Sequence, residues 1–413
     1  MMRGMNSASV DLIYLDPPFN SNHDYAAPIG SVAAGAEFKD TWGLDDVKVV
    51  WHGEIKHEYP GLYALLTATR EIHGDSMMAY LIYMGIRLIE MRRVLAAEGT
   101  IYLHCNQYAG HYLKLLLDAV FGRRNFVTEI IWNYGTPSGG RTSGKKPVKT
   151  HDVLLAYAAG YGDHLYTPQF TPYSENYTFR WFRHTDEDGR RYQTRSRKGR
   201  IVRQYLDESP GMPLSTVWSD VMQLSSRRGW FPSTRKEEVG YPTQKPLALV
   251  RRVIDASAPE GGIVLDPFCG CATACIAAEQ RGRRWVGIDI SPKAADPVRV
   301  RMRNELGLFY AGAHRTDIPA RTDLGKVPAY NCAENRRYLY GEQGGYCNGC
   351  EEHFPPRNFT VDHIVPRAKG GTDHISNLQL LCGACNSAKG TKTQEELLVL
   401  LTDKGWIKRK KAA

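Results

Sequence analysis

Two short apolar runs, far apart in the chain, each stop at an Asp-Pro pair. Residues 10–15 (VDLIYL) end at Asp16-Pro17-Pro18-Phe19, and residues 262–265 (GIVL) end at Asp266-Pro267-Phe268. A buried strand closed by proline fits both runs. Other segments have helical period (76–94, 108–121, 247–256, 274–281) or strand character (99–104, 130–132, 284–290). Their alternation predicts an α/β fold with a mainly parallel sheet.

The second Asp-Pro pair opens a unit of the nucleotide-binding type. A strand ends at Asp266, a turn containing Gly270 leads into a helix, and the next strand ends near Asp289. Small residues in such a turn let the backbone approach a ligand, and an acid after the next strand can bind ribose hydroxyls. Asp289 could instead only cap its strand. The chain has no G-x-G-x-x-G, which disfavours a dinucleotide dehydrogenase.

Residues 134–240 interrupt this regular pattern and are rich in Gly, Pro, Tyr and Arg. An irregular insertion of this length is usually functional. Aromatic residues (Trp181, Phe182, Tyr192) alternate here with basic ones: Arg180, Arg183, Arg190, Arg191, Arg195, Arg197 and Lys198. Together with a net charge of +9 for the chain, this pattern indicates a surface that contacts phosphates and stacks on bases. A solvated basic hairpin remains the alternative.

Four of the nine cysteines form two C-x-x-C pairs, Cys347 with Cys350 and Cys382 with Cys385. Four thiolates in this spacing predict a tetrahedral structural zinc. The segment from residue 329 to 413 has few large apolar side chains, so it needs such a cross-link to fold.

The composition excludes two classes of protein. No stretch approaches the roughly 18 consecutive apolar residues of a membrane span. Residues 1–20 also lack the apolar core of a secretory signal. A cytoplasmic protein without a membrane partner is therefore expected.

In their order, these motifs resemble the β-class amino-methyltransferases of DNA. Asp16–Phe19 matches the catalytic motif, the basic insertion follows it, and the segments Thr243–Pro246, Asp266–Gly270 and Gly287–Ser291 match the cofactor motifs. The resemblance implies a Rossmann-like, S-adenosylmethionine-dependent methyltransferase with an inserted target-recognition region that acts on double-stranded DNA. It also implies that the cofactor is bound by Lys245, Pro246, Asp266, Phe268, Gly270, Thr273 and Asp289.

The chemistry of amine methylation explains the first motif. The lone pair of an exocyclic base amine is delocalised into the ring, which makes the amine a poor nucleophile. The Asp16 carboxylate and a backbone carbonyl held rigid by Pro17 and Pro18 can accept its two N–H groups and localise that lone pair. Phe19 offers a stacking face for a base that has left the duplex. Methylation of cytosine carbon 5 would need a Pro-Cys dipeptide, and none occurs.

By resemblance, an aspartate at the start of the catalytic motif is commoner in enzymes that act on the adenine amine, so adenine is favoured over cytosine. The chain departs from the family in two places. Ala272 stands where the family has glycine, and no Gly-Asp strand precedes the segment matched by Met5–Val10.

Residues 346–389 resemble the HNH endonucleases, which have a small ββα-metal fold. The segment Val361–Pro366 (VDHIVP), Asn377 and the Cys-Asn pair at 385–386 carry this resemblance. It implies that His363 is the general base, that Asp362 and Asn386 hold magnesium or another divalent ion, and that Asn377 braces the loop between the strands.

Five regions are predicted: a catalytic half (1–133), a target-recognition region (134–240), a cofactor-binding half (241–311), a linker (312–328) and an HNH domain (329–413). The favoured function is a DNA amino-methyltransferase fused to a nuclease, as in restriction–modification or phage defence. Two alternatives stay open: a methyltransferase whose zinc domain only binds DNA, and a nuclease with an inactive methyltransferase half. Cutting both strands would need two nuclease domains, which leaves a homodimer open as well.

Overall fold

A computed structural model describes residues 1–19, 25–26, 37–38, 59–135, 147–224, 244–290, 295–307, 313–319, 321–324 and 329–407. Thr243 and Ser291 of the predicted cofactor motifs lie outside these ranges, as do parts of the predicted target-recognition region. The chain forms two compact units, Ala8–Gly312 and a smaller one made of Met1–Ser7 together with Ala313–Ala413. No helix within the described ranges is both long and apolar enough to cross a membrane.

The larger unit is built on a mixed sheet and carries a separate hairpin. Its strands are β1 (Val10–Leu15), β2 (Leu95–Cys105), β3 (Phe126–Asn133), β4 (His151–Ala158), β5 (Arg191–Arg197), β6 (Arg200–Tyr205), β7 (Val217–Trp218), β8 (Ile263–Asp266) and β9 (Arg284–Gly287). Short paired segments lie at Tyr25–Ala26 with Glu37–Phe38, at Phe170–Thr171 with Met212–Pro213, and at His184–Thr185 beside β5.

Seven strands form the central sheet in the order β7-β3-β4-β2-β1-β8-β9. Strand β1 runs parallel to both of its neighbours, β2 and β8. Strand β8 is also parallel to β9, and β7 is parallel to β3. Strand β4 is antiparallel to both β2 and β3. The prediction of an α/β fold with a mainly parallel sheet is therefore confirmed.

Helices pack against this sheet. They are α1 (Pro60–His73), α2 (Asp75–Val94), α3 (Gly110–Leu117), α4 (Glu175–Trp181), α5 (Leu247–Ser257), α6 (Thr273–Gln280) and α7 (Ala295–Leu306). A π-turn at Asp118–Gly122 and 3-10 turns at Met2–Gly4 and Arg123–Asn125 complete the regular structure in this part of the chain. Apolar side chains of α5 and α6 are buried against β1 and β8, which fixes the strand ends that carry both Asp-Pro pairs.

The predicted target-recognition region, residues 134–240, contains strands of the central sheet. Residues 151–158, which lie inside it, form the central strand β4, and Leu154 and Ala156 on that strand are fully buried. Residues 217–218 likewise add the edge strand β7. The Gly- and Pro-rich segments on either side obscured a short apolar run that reads VLLAYA in the sequence.

The smaller unit has the ββα order. It contains α8 (Ala333–Glu342), the antiparallel strands β10 (Phe359–His363) and β11 (Leu378–Cys382), then α9 (Gly383–Lys389) and α10 (Gln394–Asp403), with 3-10 turns at Pro356–Asn358, Arg367–Lys369 and Ile375–Asn377. Leu380 and Leu381 of β11 and Leu397 of α10 are fully buried in its core.

The predicted catalytic half includes residues 1–7, but these residues group with the smaller unit. Asn6 and Thr322 exchange two hydrogen bonds of 2.8 Å, and Arg321 donates to the Ser7 hydroxyl at 3.0 Å. Part of the predicted linker is therefore fixed by the segment before β1, which no local sequence pattern indicates.

Candidate active sites

The first candidate site lies where β1 and β8 end. Ile13 of β1 pairs with Leu265 of β8 in a parallel register. Because the carboxyl ends of parallel strands meet at one edge of a sheet, Asp16 and Asp266 reach the same edge. The structure thus brings the two Asp-Pro motifs together although 250 positions separate them in the sequence.

Asp16 is held on one side only. Its Oδ2 atom forms a 2.5 Å ion pair with Nζ of Lys245, whose side chain is 9% exposed. Its Oδ1 atom is buried and has no hydrogen-bond partner among the described residues. A buried acceptor without a partner costs free energy, so this oxygen is available for a donor from a substrate.

The rest of the catalytic motif is anchored from a neighbouring helix. The hydroxyl of Tyr80 on α2 donates to the Pro18 carbonyl at 2.7 Å. The Phe19 ring stacks on His104, with ring centroids 6.2 Å apart and an angle of 28° between the planes, and Nζ of Lys245 lies 5.7 Å from the Phe19 ring.

The predicted cofactor residues surround the turn after β8. The Phe268 amide donates to Asp266 Oδ1 at 3.1 Å, and the Gly270 amide donates to Asp289 Oδ2 at 2.9 Å. Burial, with the nearby charges of Asp16 and Asp289, raises the pKa of Asp266 to about 8. At least one oxygen of Asp289 therefore holds the turn itself.

The helix that follows this turn begins in an unusual way. Ala272, which caps α6, has φ +62° in the left-handed region, where a side chain costs about 1 kcal/mol relative to glycine. The buried Arg301 of α7 donates to the Cys271 carbonyl at 2.8 Å and to the Thr273 hydroxyl at 2.9 Å. The predicted ligand Thr273 is thus bound to a side chain of the protein.

Pro246 caps the start of α5 and is buried.

The seven basic residues predicted to contact nucleic acid fall into two groups. Arg190 forms ion pairs with Asp207 and Glu208, and Arg191 donates to the carbonyls of Thr178 and Phe182, so both hold the local fold. The remaining five are exposed: Arg180, Arg183, Arg195, Arg197 and Lys198.

Three of these exposed residues lie on the β5–β6 hairpin, whose two-residue turn is Lys198-Gly199. Both turn residues have positive φ, +50° and +77°. Arg197 pairs directly with Arg200 across the hairpin, and residues 191–205 contain no acid. Like charges placed opposite each other destabilise a hairpin, so this arrangement favours a polyanionic partner over a structural role.

The four cysteines of the smaller unit come together. Their sulfur atoms all lie within 4.8 Å of one another, and Cys350 Sγ is 3.9 Å from Cys382 Sγ. A tetrahedral zinc with Zn–S bonds near 2.3 Å requires sulfur–sulfur distances of about 3.8 Å. The amides of Cys382 and Gly349 donate to Cys347 Sγ, as suits a thiolate. The cluster therefore fits a tetrahedral metal ion.

His363 ends β10 and is oriented by an acid. Its Nε2 atom lies 2.9 Å from Asp373 Oδ1, and the ring of Tyr330 packs 4.6 Å from the imidazole. Asp373 also pairs with Arg367, and its hydrogen bonds with Arg367 and His363 hold the pKa of Asp373 below its ordinary value. The carboxylate therefore stays ionised and fixes the ring of His363.

The two predicted ligands of a divalent ion lie on adjacent elements. Asp362 Oδ2 is 2.9 Å from Nζ of the fully buried Lys389 and accepts from Gln379 at 3.1 Å. Asn386 lies three residues before Lys389 on α9, and this helix packs against β10. An oxygen-only pair suits a hard cation that keeps water ligands. Lys389 already neutralises one oxygen of that pair.

Asn377 holds the loop between these strands, as the resemblance implies. Its side chain accepts from the Val365 amide at 2.9 Å and donates to the Val365 carbonyl at 3.0 Å and the Thr372 carbonyl at 2.8 Å. A Cβ at Gly371 would lie 1.7 Å from the Val365 carbonyl oxygen, which explains the glycine in the tight loop.

Sequence reasoning missed the partners that orient these side chains: Tyr14, Tyr80, His104, Asp152, Arg301, Asp373 and Lys389. Each is brought to its site by tertiary structure. One sequence pattern could have indicated some of these partners: a polar residue at the end of an apolar run, as with His104 after GTIYL.

The comparisons with known proteins agree with this arrangement. Residues 10–299 match the DNA methylase family, and residues 347–400 match the HNH endonuclease family. The chain therefore belongs to the DNA methylase family and carries an HNH endonuclease domain, and its predicted fold class is confirmed.

Three curated relatives show how far the similarity extends. The type II methyltransferase M.HpaI of Haemophilus parainfluenzae is 26% identical over 75% of this chain and 73% of its own length. The DNA adenine methyltransferase YhdJ of Escherichia coli is 25% identical over 70% of this chain and 75% of its own. The type II methyltransferase M.EcaI of Enterobacter cloacae is 28% identical over 54% of this chain, which spans only 57% of that relative.

A solved structure of M1.HpyAVI in complex with SAM aligns with 71% of this chain and 89% of its own, at 16% identity and a TM-score of 0.38.

Proposed function

We propose that the larger unit transfers a methyl group from S-adenosylmethionine to the exocyclic amine of adenine in double-stranded DNA. The buried Oδ1 of Asp16 carries this proposal, because it lacks a partner among the described residues and stands at the edge where both motif strands end. An amine N–H would satisfy this acceptor.

The residues of the catalytic motif have distinct roles in this reaction. Asp16 Oδ1 accepts one N–H of the amine. The Pro18 carbonyl is already bound by Tyr80, so we assign the second acceptor to the Pro17 carbonyl. When bound, S-adenosylmethionine supplies a sulfonium-activated methyl group. These two acceptors orient the amine lone pair toward the methyl group that the cofactor would supply, and Asp16 would accept the proton that the amine loses.

The charges around the turn after β8 suit a cationic cofactor. Asp16 and Asp289 lie near enough to Asp266 for their negative charges to raise its pKa. A sulfonium and an ammonium group bound here would be attracted to the carboxylates of Asp16 and Asp289. Lys245, Pro246, Phe268, Gly270 and Thr273 complete the predicted set of cofactor residues.

Two observations favour adenine over cytosine. The catalytic motif begins with aspartate, and the relative YhdJ is named as a DNA adenine methyltransferase. A further relative, from Salmonella typhimurium, is named as the Mod subunit of a type III restriction-modification enzyme, and we propose the same setting for this chain.

In the larger unit, we assign DNA recognition to the β5–β6 hairpin with the exposed Arg195, Arg197 and Lys198. Arg180 and Arg183 on and after α4 extend this basic surface. A two-stranded ribbon of this kind fits the major groove of DNA. The recognition region then begins after β4, while the other predicted boundaries are kept.

We propose further that the smaller unit cleaves DNA. His363, oriented by Asp373, would take a proton from water, and Asp362 with Asn386 would hold a divalent ion, such as magnesium, that stabilises the leaving oxygen. The four-cysteine cluster would hold a structural zinc.

A second candidate function is DNA binding without cleavage by the smaller unit. The ion pair between Asp362 and the buried Lys389 favours it, because an ammonium group on this carboxylate competes with a divalent cation.

One experiment separates these functions. Unmethylated double-stranded DNA is incubated with the protein, magnesium and tritiated S-adenosylmethionine, and label transfer and strand breaks are scored separately. Asp16→Asn is expected to lose label alone, and His363→Ala to lose breaks alone. The matched controls Asp220→Asn and His353→Ala change exposed residues of the same type and are expected to keep both.

Label without breaks would support the DNA-binding alternative. Breaks without label would contradict the methyltransferase proposal and favour a nuclease with an inactive methyltransferase half.

A further inference from the structure

A chain of buried polar groups lies behind Phe19. His104, at the end of β2, is fully buried, and its Nδ1 atom is 3.2 Å from the hydroxyl of Tyr14 on β1. Its Nε2 atom is 3.5 Å from Asp152 Oδ2 on β4, and Asp152 is paired in turn with Lys149. The chain joins three adjacent strands of the central sheet below the catalytic motif.

The ring of His104 is held in one plane. A Tyr14 hydroxyl that donates to Nδ1 leaves the proton on Nε2, which then points at the Asp152 carboxylate. The Trp132 ring packs edge-on against the imidazole at 5.6 Å. The Phe19 ring stacks on the imidazole, with ring centroids 6.2 Å apart and an angle of 28° between the ring planes.

This arrangement of polar groups lowers the stability of the core. A hydroxyl, an imidazole and a carboxylate buried together cost more free energy than apolar side chains of similar volume. Burial and the surrounding acids raise the pKa of Tyr14 well above its ordinary value, so its proton stays available to His104. Although burial opposes it, contact with His104 and Lys149 lowers the pKa of Asp152, so the acid stays ionised.

We propose that His104 is a positioning residue that sets the plane of Phe19, and through it the plane of the base that stacks there for methylation. The proposal rests on the proposed function of the larger unit. Tyr14 holds the Nδ1 side of His104, the Asp152 carboxylate faces Nε2 at 3.5 Å, and Phe19 stacks on the ring. Because an error of about 1 Å in the placement of a reacting group can cost about 100-fold in rate, a tilt of Phe19 lowers the rate of methyl transfer.

The test uses the full-length protein with two DNA substrates. One carries adenine at the methylated position and gives kcat. The other carries 2-aminopurine there, which has no 6-amino group to methylate, and its fluorescence rises when the base leaves the stack. For His104→Ala we expect a kcat lowered at least 10-fold and a reduced fluorescence rise, with KM for S-adenosylmethionine within twofold of wild type. Partial unfolding would lower the apparent kcat without changing KM, so the circular dichroism spectrum of His104→Ala is measured as well and is expected to match that of wild type.

A second pair of variants keeps the core filled. Tyr14→Phe removes the hydroxyl that holds His104, whereas Tyr102→Phe removes a buried hydroxyl on β2 that bonds to Ser257 at 2.8 Å instead. We expect Tyr14→Phe to lower kcat and the fluorescence rise, and Tyr102→Phe to change neither. Asp152→Asn is expected to act like Tyr14→Phe.

Equal effects of Tyr14→Phe and Tyr102→Phe would overturn the proposal, as would a His104→Ala protein with the kcat and fluorescence of wild type. A wild-type protein that transfers no label contradicts the proposed function as well. Normal wild-type transfer with unaffected variants contradicts only the role of His104.

Discussion

At the scale of single residues, Asp266 shows how burial and neighbouring acids change the pKa of a carboxyl group in the site. Its carboxyl is buried beside Asp16 and Asp289, and its pKa is raised to about 8. In the unfolded chain the same group titrates near pH 3.9. Between these values the folded protein binds a proton that the unfolded chain does not, so this contribution to stability is lost as the pH rises through 8.

We therefore predict that the free energy of unfolding of wild type falls relative to that of Asp266→Asn as the pH rises from 6 to 8. The difference between the two proteins is expected to change by about 2 kcal/mol over this window. Urea unfolding followed by tryptophan fluorescence at pH 6, 7 and 8 measures it. A constant difference would mean that Asp266 is ionised in the folded protein.

The positions of several proposed catalytic and metal-binding side chains in the fold were predictable, because they end a short apolar run or belong to a Cys-x-x-Cys pair. Asp16, Asp266 and His363 all follow strands in the structure or end them. Their partners were not predictable. Lys245 reaches Asp16 across 229 positions, and Asp373 reaches His363 through a loop whose conformation depends on Asn377.

At the scale of elements, the start of α6 carries a strain that the sequence already indicated at Ala272. Both Ala272 and Ala277 are fully buried, but Ala272 has φ +62° whereas Ala277 lies inside the helix. Replacing either by glycine removes one buried methyl group, so the two variants differ only in backbone conformation.

Ala272→Gly is expected to be about 2 kcal/mol more stable than Ala277→Gly, because glycine relieves the left-handed conformation at 272 and weakens the helix at 277. Chemical denaturation of the two variants side by side measures this. Equal stabilities would show that the turn at Ala272 is not strained.

The spacing of hydrophobic residues in the sequence predicts most elements of the larger unit. For example, it predicts a helix at 76–94, and α2 is observed at Asp75–Val94. The sheet strand β4 was missed because its neighbours in sequence are irregular, although its own residues are apolar. Pairing between strands β2, β3 and β4 depends on contacts that no local window contains.

At the scale of the whole molecule, the two compact units have separate chemistries. The four-cysteine cluster lies wholly in the smaller unit and the Asp16 edge wholly in the larger. A metal ion held at this cluster would stabilise a small unit with a modest core.

We predict that Cys347→Ser loses bound zinc and DNA cleavage but keeps methyl transfer. Cys332→Ser is the matched control: Cys332 lies outside the cluster and caps α8 by accepting from the Asn335 amide, a position that serine also fills well. Mass spectrometry measures the zinc content of each variant, and DNA cleavage and methyl transfer are assayed on the same samples. Full zinc content in Cys347→Ser would disprove the assignment of the cluster.

The contacts of residues 1–7 have a consequence for synthesis of the chain. Asn6 bonds to Thr322, which leaves the ribosome 316 residues later. At 5–20 residues per second this delay is roughly 15–60 s. During this delay Asn6 lacks its contact with Thr322, while the sheet that follows can already form. The pairing of these two residues is therefore a late step in the synthesis of this chain.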